Sequence, residues 1–173
     1  MRSSVDFSVI NTFIFDIDGT LTDGRVAYLD DGQVIKFFNH HDMHWMKMAL
    51  RAGLKVGVIS GCDDQANRHL VRLLNLSFAY LGATDKIAAF EELVEKEQLE
   101  VRQCLYLGDD VVDLPVIRRA GIGVAVADAV DELDDFADFR TRASGGNGAV
   151  KEVIVRVLKA KDLYNMAMER YRR

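Results

Sequence analysis

Residues 13–23 read FIFDIDGTLTD. The stretch opens as an apolar run and closes on two carboxylates, Asp16 and Asp18, one residue apart. Ile14, Phe15 and Ile17 belong in a core, yet a charge is costly to desolvate unless something pairs with it. Two arrangements resolve the conflict. A cation waits at that spot, or a buried strand stops there and the carboxylates meet water at its end.

Working outward, the same kind of segment recurs. Residues 12–17 (TFIFDI), 55–60 (KVGVIS), 78–81, 103–108 (QCLYLG) and 122–126 (IGVAV) read as strands. Helices are expected at 42–52 (stopped by Gly53), 63–74, Thr84 to about Gln98, and 111–119 with Pro115 in its first turn. A long helix over roughly 148–170 follows SGGNG, and Asp31-Gly32 marks the turn of a β-hairpin at about 25–38. Strands alternating with helices give an α/β fold: a doubly wound, mainly parallel Rossmann-like sheet covered by helices on both faces. Residues 1–173 are expected to form one domain with a hairpin flap and no large cap.

Composition narrows the function. A net charge of −5 offers no broad surface for a polyanion, so nucleic acid is not an expected partner. The three Arg in the final DLYNMAMERYRR fit a frayed basic helix end. No apolar run is long enough to span a membrane, and the opening MRSSVDFSVI lacks the apolar core of a signal peptide. Cys62 and Cys104 stand far apart, which suits a reducing compartment and a cytoplasmic protein.

In open α/β sheets, ligands bind beyond the carboxyl ends of the strands. Asp16 and Asp18 end the first strand, Ser60 and Gly61 the second, and Gly108, Asp109 and Asp110 the fourth; Lys86 enters from a helix start near the same edge. Clustered carboxylates repel one another unless a cation sits among them, and an all-oxygen donor set beside phosphate selects Mg²⁺. A carboxylate can also act as a nucleophile and form an aspartyl-phosphate. Ser60 and Lys86 would then neutralise phosphoryl oxygens.

This combination resembles the haloacid dehalogenase-like phosphatase superfamily, with DIDGT at 16–20, Ser60, Lys86 and GDDVVD at 108–113 as its four motifs. FDIDGTLTDG, GATDK, GDDVVDLPVI, VAVADA and GGNGAVKEV are similar to the capless branch that acts on 3-deoxy-D-manno-octulosonate 8-phosphate and related nine-carbon sugar acids. The resemblance implies a Mg²⁺-dependent phosphomonoesterase for a phosphorylated eight- or nine-carbon sugar acid. Asp16 would be its nucleophile and Asp18 its acid/base. The metal would sit on Asp16, the Asp18 backbone carbonyl and Asp109, with Asp110 and Asp113 behind it. Gly61, Asn39, Asp42 and Lys86 would face the substrate. It further implies a homotetramer built through the hairpin, whose neighbouring subunit helps to close the site. The chain departs from the branch where Cys62 replaces an Arg, and where HHDMHW (40–45) replaces a stretch ending in glycines.

Two other classes share some of these features. A receiver-like phospho-switch module has an acidic cluster, a Ser/Thr and a Lys on a doubly wound sheet, but in another order. An inactive relative kept as an oligomerisation partner would not need complete motifs. His40, His41, Asp42 and His44 lack the spacing of a transition-metal site and are read as pocket wall or helix start, with Asp42 as a candidate N-cap. Met43, Trp45, Met46 and Met48 are read as packing residues.

Overall fold

The computed structural model describes residues 5–172; the first four residues of the opening segment and Arg173 of the basic end lie outside it. The sheet strands are β1 (Thr12–Phe15), β4 (Lys55–Ser60), β5 (Phe78–Leu81), β6 (Cys104–Gly108), β7 (Ile122–Ala125) and β8 (Phe139–Arg140). A separate ribbon pairs β2 (Ala27–Tyr28) with β3 (Val34–Ile35). The helices are α1 (His40–Arg51), α2 (Gln65–Leu74), α3 (Lys86–Lys96), α4 (Leu114–Arg119), α5 (Ala149–Ala160) and α6 (Tyr164–Glu169).

The sheet order is β5-β4-β1-β6-β7-β8, and every pairing is parallel. Counted along the chain, the six sheet strands lie in the order 3-2-1-4-5-6, which is that of the doubly wound dinucleotide-binding fold; a receiver-type sheet runs 2-1-3-4-5. The receiver reading is thereby excluded at the level of topology. β1 is central and fully buried, because both faces carry helices and both edges are paired. Its register places Phe15 opposite Val58 and Leu107, so β1, β4 and β6 end at one rim. The order of connections reverses between β1 and β6, the place where open α/β sheets form their ligand crevice.

β1 stops at Phe15 rather than at residue 17. The Asp16 N–H still donates to the Leu107 carbonyl at 3.0 Å, but the Ile17 carbonyl accepts from Thr20, Leu21 and Thr22 and turns the chain away. Trp45, Met46, Met48 and Ala49 bury the inner face of α1, and Met43 packs against it. Leu70 and Leu74 of α2 are buried, whereas Leu73 is exposed. Among the described residues, no helix is long and apolar enough to cross a membrane.

Two expected elements need correction, and one strand is unexpected. The helix expected at 148–170 is two helices. α5 ends in a C-terminal cap in which the Leu163 N–H reaches the Leu158 carbonyl and Asp162 adopts φ +58°, and α6 then sets off on a new axis. The break lets Tyr164 stack on Trp45, with ring centroids 6.0 Å apart. The helix expected at 111–119 begins as a tight 3₁₀ turn, Val111–Asp113, before α4. β8 has no strand-like sequence signal; Arg140 fixes it by donating to the carbonyls of Ala129 and Val130 and by pairing with Asp134.

Candidate active site

β1 and β6 bring Asp16, Asp109 and Asp113 together, each offering a carboxylate oxygen within 4.8 Å of the others. Two glycines make this approach possible. A Cβ on Gly19, whose φ is +87°, would lie 2.0 Å from Asp109 Oδ2, and one on Gly108 would lie 2.4 Å from Asp113 Cγ. The G of DIDGT and the G of GDD are therefore steric requirements of the cluster.

The three carboxylates are not equivalent. Asp113 is fully buried and saturated. Its Oδ1 accepts from Lys86 Nζ and Tyr106 OH, each at 2.6 Å, and its Oδ2 accepts from the N–H groups of Asp109 and Asp110 at 3.0 and 3.2 Å. No lone pair remains for an inner-sphere ligand. Asp16 pairs with Lys86 at 2.8 Å, and Asp109 accepts from Thr20 Oγ1 at 3.0 Å, so these two keep lone pairs for the crevice. Lys86 thus spans Asp16 and Asp113, one ammonium among three carboxylates.

That imbalance sets the electrostatics. Burial, followed by repulsion from Asp113, holds the Asp16 carboxyl well above the ordinary carboxylate range despite Lys86. Burial and then Asp113 likewise push Asp109 up to about 6. Burial alone would lower Lys86, but Asp16 and Asp113 outweigh it and its pKa rises. The buried Tyr106 hydroxyl is pushed up by desolvation and then by Asp113, so it stays a donor.

A carboxyl whose folded pKa exceeds its unfolded value binds its proton better in the native state. Its stabilising contribution is full below the unfolded value and is lost as pH rises through the folded one. For Asp109, moving from 3.8 to about 6 amounts to roughly 3 kcal/mol at most, at ~1.4 kcal/mol per unit. A divalent cation held by Asp16 and Asp109 would replace the lost proton. The expected result is that 5 mM Mg²⁺ raises the melting temperature by about 5 °C or more at pH 7.5 and much less at pH 5. Calorimetry with and without the cation checks this, and an equal rise at both pH values would contradict it.

The remaining expected residues divide. Ser60 sits buried at the end of β4, where its Oγ accepts from the Cys62 N–H at 3.2 Å. Gly61 is exposed beside it, and a Cβ added there would meet nothing nearer than the Ala83 carbonyl oxygen at 4.0 Å. Asp18 keeps 27% of its side chain exposed at the mouth. Asp110 is exposed and caps the turn after β6 through the Val111 N–H.

Asn39 and Asp42 take structural places instead of the substrate-facing ones expected for them. Asn39, not Asp42, is the N-cap of α1. Its Oδ1 accepts from His41 and Asp42, and its Nδ2 donates to the Gly146 carbonyl. Asp42 is fully buried and caps α5 across the fold, accepting from Gly148 at 3.0 Å and Lys151 at 2.7 Å. Both side chains therefore have their polar atoms committed to backbone.

Sequence reasoning missed four contributors: Thr20, Tyr106, Lys36 and Asp64. A tyrosine inside a fully buried strand is a readable signal, because its hydroxyl needs a partner. Lys36 had no comparable mark. It lies on the ribbon and reaches Asp18 and Asp64 at 2.7 and 2.6 Å.

A family model described as haloacid dehalogenase-like hydrolase matches residues 75–154. The 3-deoxy-D-manno-octulosonate 8-phosphate phosphatase of Escherichia coli is 36% identical over 152 residues, covering 88% of this chain and 81% of that one. The Moraxella catarrhalis enzyme of the same name, solved with magnesium, phosphate and the sugar acid, superposes with a TM-score of 0.92 at 30% identity, over 96% of this chain and 95% of that one. A probable phosphatase of the yrbi family from Pseudomonas syringae gives a TM-score of 0.94 at 37% identity, over 97% and 96% of the two chains. Fold and relatives together define a phosphoric monoester hydrolase. The chain belongs to the haloacid dehalogenase-like phosphatases, in the capless branch that holds the octulosonate 8-phosphate enzymes.

Proposed function

We propose that the protein is a Mg²⁺-dependent phosphomonoesterase that works through an aspartyl-phosphate on a phosphorylated eight- or nine-carbon sugar acid, with 3-deoxy-D-manno-octulosonate 8-phosphate as the leading candidate. The observation that carries this reading is the inequality among the carboxylates: Asp113 is saturated, while Asp16, paired with Lys86, and Asp109, bonded by Thr20, keep lone pairs free for a ligand. Asp16, Asp109 and the Asp18 backbone carbonyl would hold Mg²⁺. When bound, the ion supplies positive charge for phosphoryl oxygens.

In this reading, Asp16 attacks phosphorus and Asp18 protonates the departing sugar oxygen, then takes a proton from the resolving water. Lys86 and Ser60 hold phosphoryl oxygens, and Asp113, with Tyr106 behind it, aims Lys86. The test is a turnover screen over sugar-acid and hexose phosphates with Mg²⁺; absence of hydrolysis across the panel would sink the reading.

Recognition of the sugar carboxylate is the weak point of the isolated subunit. Lys36, Lys86 and Arg68 each already face a carboxylate, and Lys47 lines a groove with Leu50, Leu73 and Leu74 instead. Cys62 is exposed, and burial together with the Asp18 charge raises its thiol, so it is a poor thiolate. A guanidinium there would add one charged hydrogen bond, worth about 1.5–3 kcal/mol. Cys62→Arg is therefore expected to raise kcat/KM for octulosonate 8-phosphate by about tenfold or more. A specificity profile beside the wild type checks it; an unchanged or lower value would rule out position 62 as a substrate determinant.

The ribbon supports a homotetramer. Tyr28 and Phe37 are 77% and 68% exposed, and Val26, Leu29 and Ile35 are also exposed, while Val34 is half-buried. That is more apolar surface than a free two-stranded ribbon keeps in water. Light scattering at micromolar concentration is expected to give the mass of four chains, and Tyr28→Glu with Phe37→Glu to reduce it. A monomeric wild type would refute the assembly.

A further inference from the structure

Lys36 is the residue of the site that the reading above leaves without a task. It follows β3 on the ribbon, yet its side chain is only 2% exposed. Its ammonium lies 2.7 Å from Asp18 Oδ1 and 2.9 Å from Oδ2, 2.6 Å from Asp64 Oδ2 and 3.2 Å from Asn67 Oδ1. Asp64 is itself fixed as the N-cap of α2 through the Asn67 N–H, and Asn67 Nδ2 donates to the Cys62 carbonyl. One ammonium thus joins three segments: the ribbon, the turn after β1 and the loop from β4 to α2.

Burying an ammonium costs several kcal/mol unless its partners are well placed, and a ribbon has ample solvent for a lysine. This geometry serves Asp18. Asp18 stands on a turn, partly exposed at the mouth, where a free carboxylate would rotate. Lys36 donates to its Oδ2 and holds its Oδ1 at ion-pair distance. The Cys62 thiol lies close enough for the Asp18 charge to raise its pKa.

We propose that Lys36 is a positioning residue for the second half of the reaction: it fixes the Asp18 carboxylate in the orientation that receives the proton of the resolving water. In that step, water oxygen forms a bond to phosphorus and the Asp16 Oδ–phosphorus bond breaks. Its electron pair returns to the Asp16 carboxylate, the water proton passes to an Asp18 oxygen, and inorganic phosphate departs. The inference rests on the aspartyl-phosphate reading given above.

The test uses p-nitrophenyl phosphate with Mg²⁺. Its leaving group departs without a proton donor, so the first half-reaction proceeds without help from Asp18. Replacing Lys36 alone would leave Asp18 and Asp64 facing each other uncompensated, so the main variant is Lys36→Met combined with Asp64→Asn. It conserves the local net charge, and Asn keeps the helix cap. The expected result is a kcat roughly 10- to 100-fold lower, as for a misplaced catalytic group, with kcat/KM within about threefold of wild type. A burst of p-nitrophenolate near one per site should precede the slow phase, and phospho-enzyme should accumulate. Lys36→Arg should recover most of kcat. The inference is overturned if kcat is unchanged, or if kcat and kcat/KM fall together without a burst. A wild type that hydrolyses no phosphomonoester at all overturns the phosphatase reading itself, which is a distinct outcome.

Discussion

Asp16→Asn is expected to lower turnover by at least about 10³-fold, because it removes the attacking oxygen and not merely a contact; at ~1.4 kcal/mol per decade this is roughly 4 kcal/mol in the barrier. The fold should survive. Asp16 is 5% exposed and sits among two other carboxylates, so an isosteric neutral amide relieves repulsion that the native cluster carries. The melting temperature without metal should therefore be equal or higher, and Mg²⁺ should raise it less than in the wild type. A folded Asp16→Asn protein that turns over at near-native rate would remove Asp16 from the nucleophile's role.

Chelation should have a comparable effect. Asp16 and Asp113 share the Lys86 ammonium, Asp109 stands beside them, and a phosphate monoester brings about two further negative charges to the same crevice. Without a divalent cation, substrate and site repel each other. Excess EDTA followed by dialysis is expected to leave under about 1% of the activity, and Mg²⁺ to restore it; a two-decade loss corresponds to ~2.7 kcal/mol. Full activity in the chelated protein would defeat the metal-dependent reading.

Much of this could be read in the sequence because the fold and the site use the same residues. The strands that bury their apolar runs on both faces also end in Asp16, Ser60 and Asp109, and alternation with helices forces those ends to one rim. What escaped notice is held by contacts remote in sequence. Asp42 looks like a cap for the helix it begins, but its hydrogen bonds go to Gly148 and Lys151 on α5. Lys36 reads as an ordinary ribbon lysine until the fold brings Asp18 and Asp64 around it. The break at Asp162 was hidden because apolar spacing continues across it, and only the docking of Tyr164 on Trp45 shows why the axis turns.

The bond from Asp42 to α5 also bears on the order in which the polypeptide matures. During synthesis the carboxylate of residue 42 leaves the ribosome more than a hundred residues ahead of the N–H groups it will cap. The central strand, β1, likewise waits with one edge open until Cys104–Gly108 arrives. Long-range closures of this kind come late and slowly, because loop entropy must be spent before the contact forms. A nascent chain halted before residue 148 therefore has a charged α1 with nothing to cap and an apolar face uncovered. Such chains are substrates for chaperones and proteases. The loop before α5 also bonds to the turn after β1, through the Gly146 N–H and the Thr20 carbonyl, so the turn that carries Asp18 gains its last support only when the end of the chain arrives.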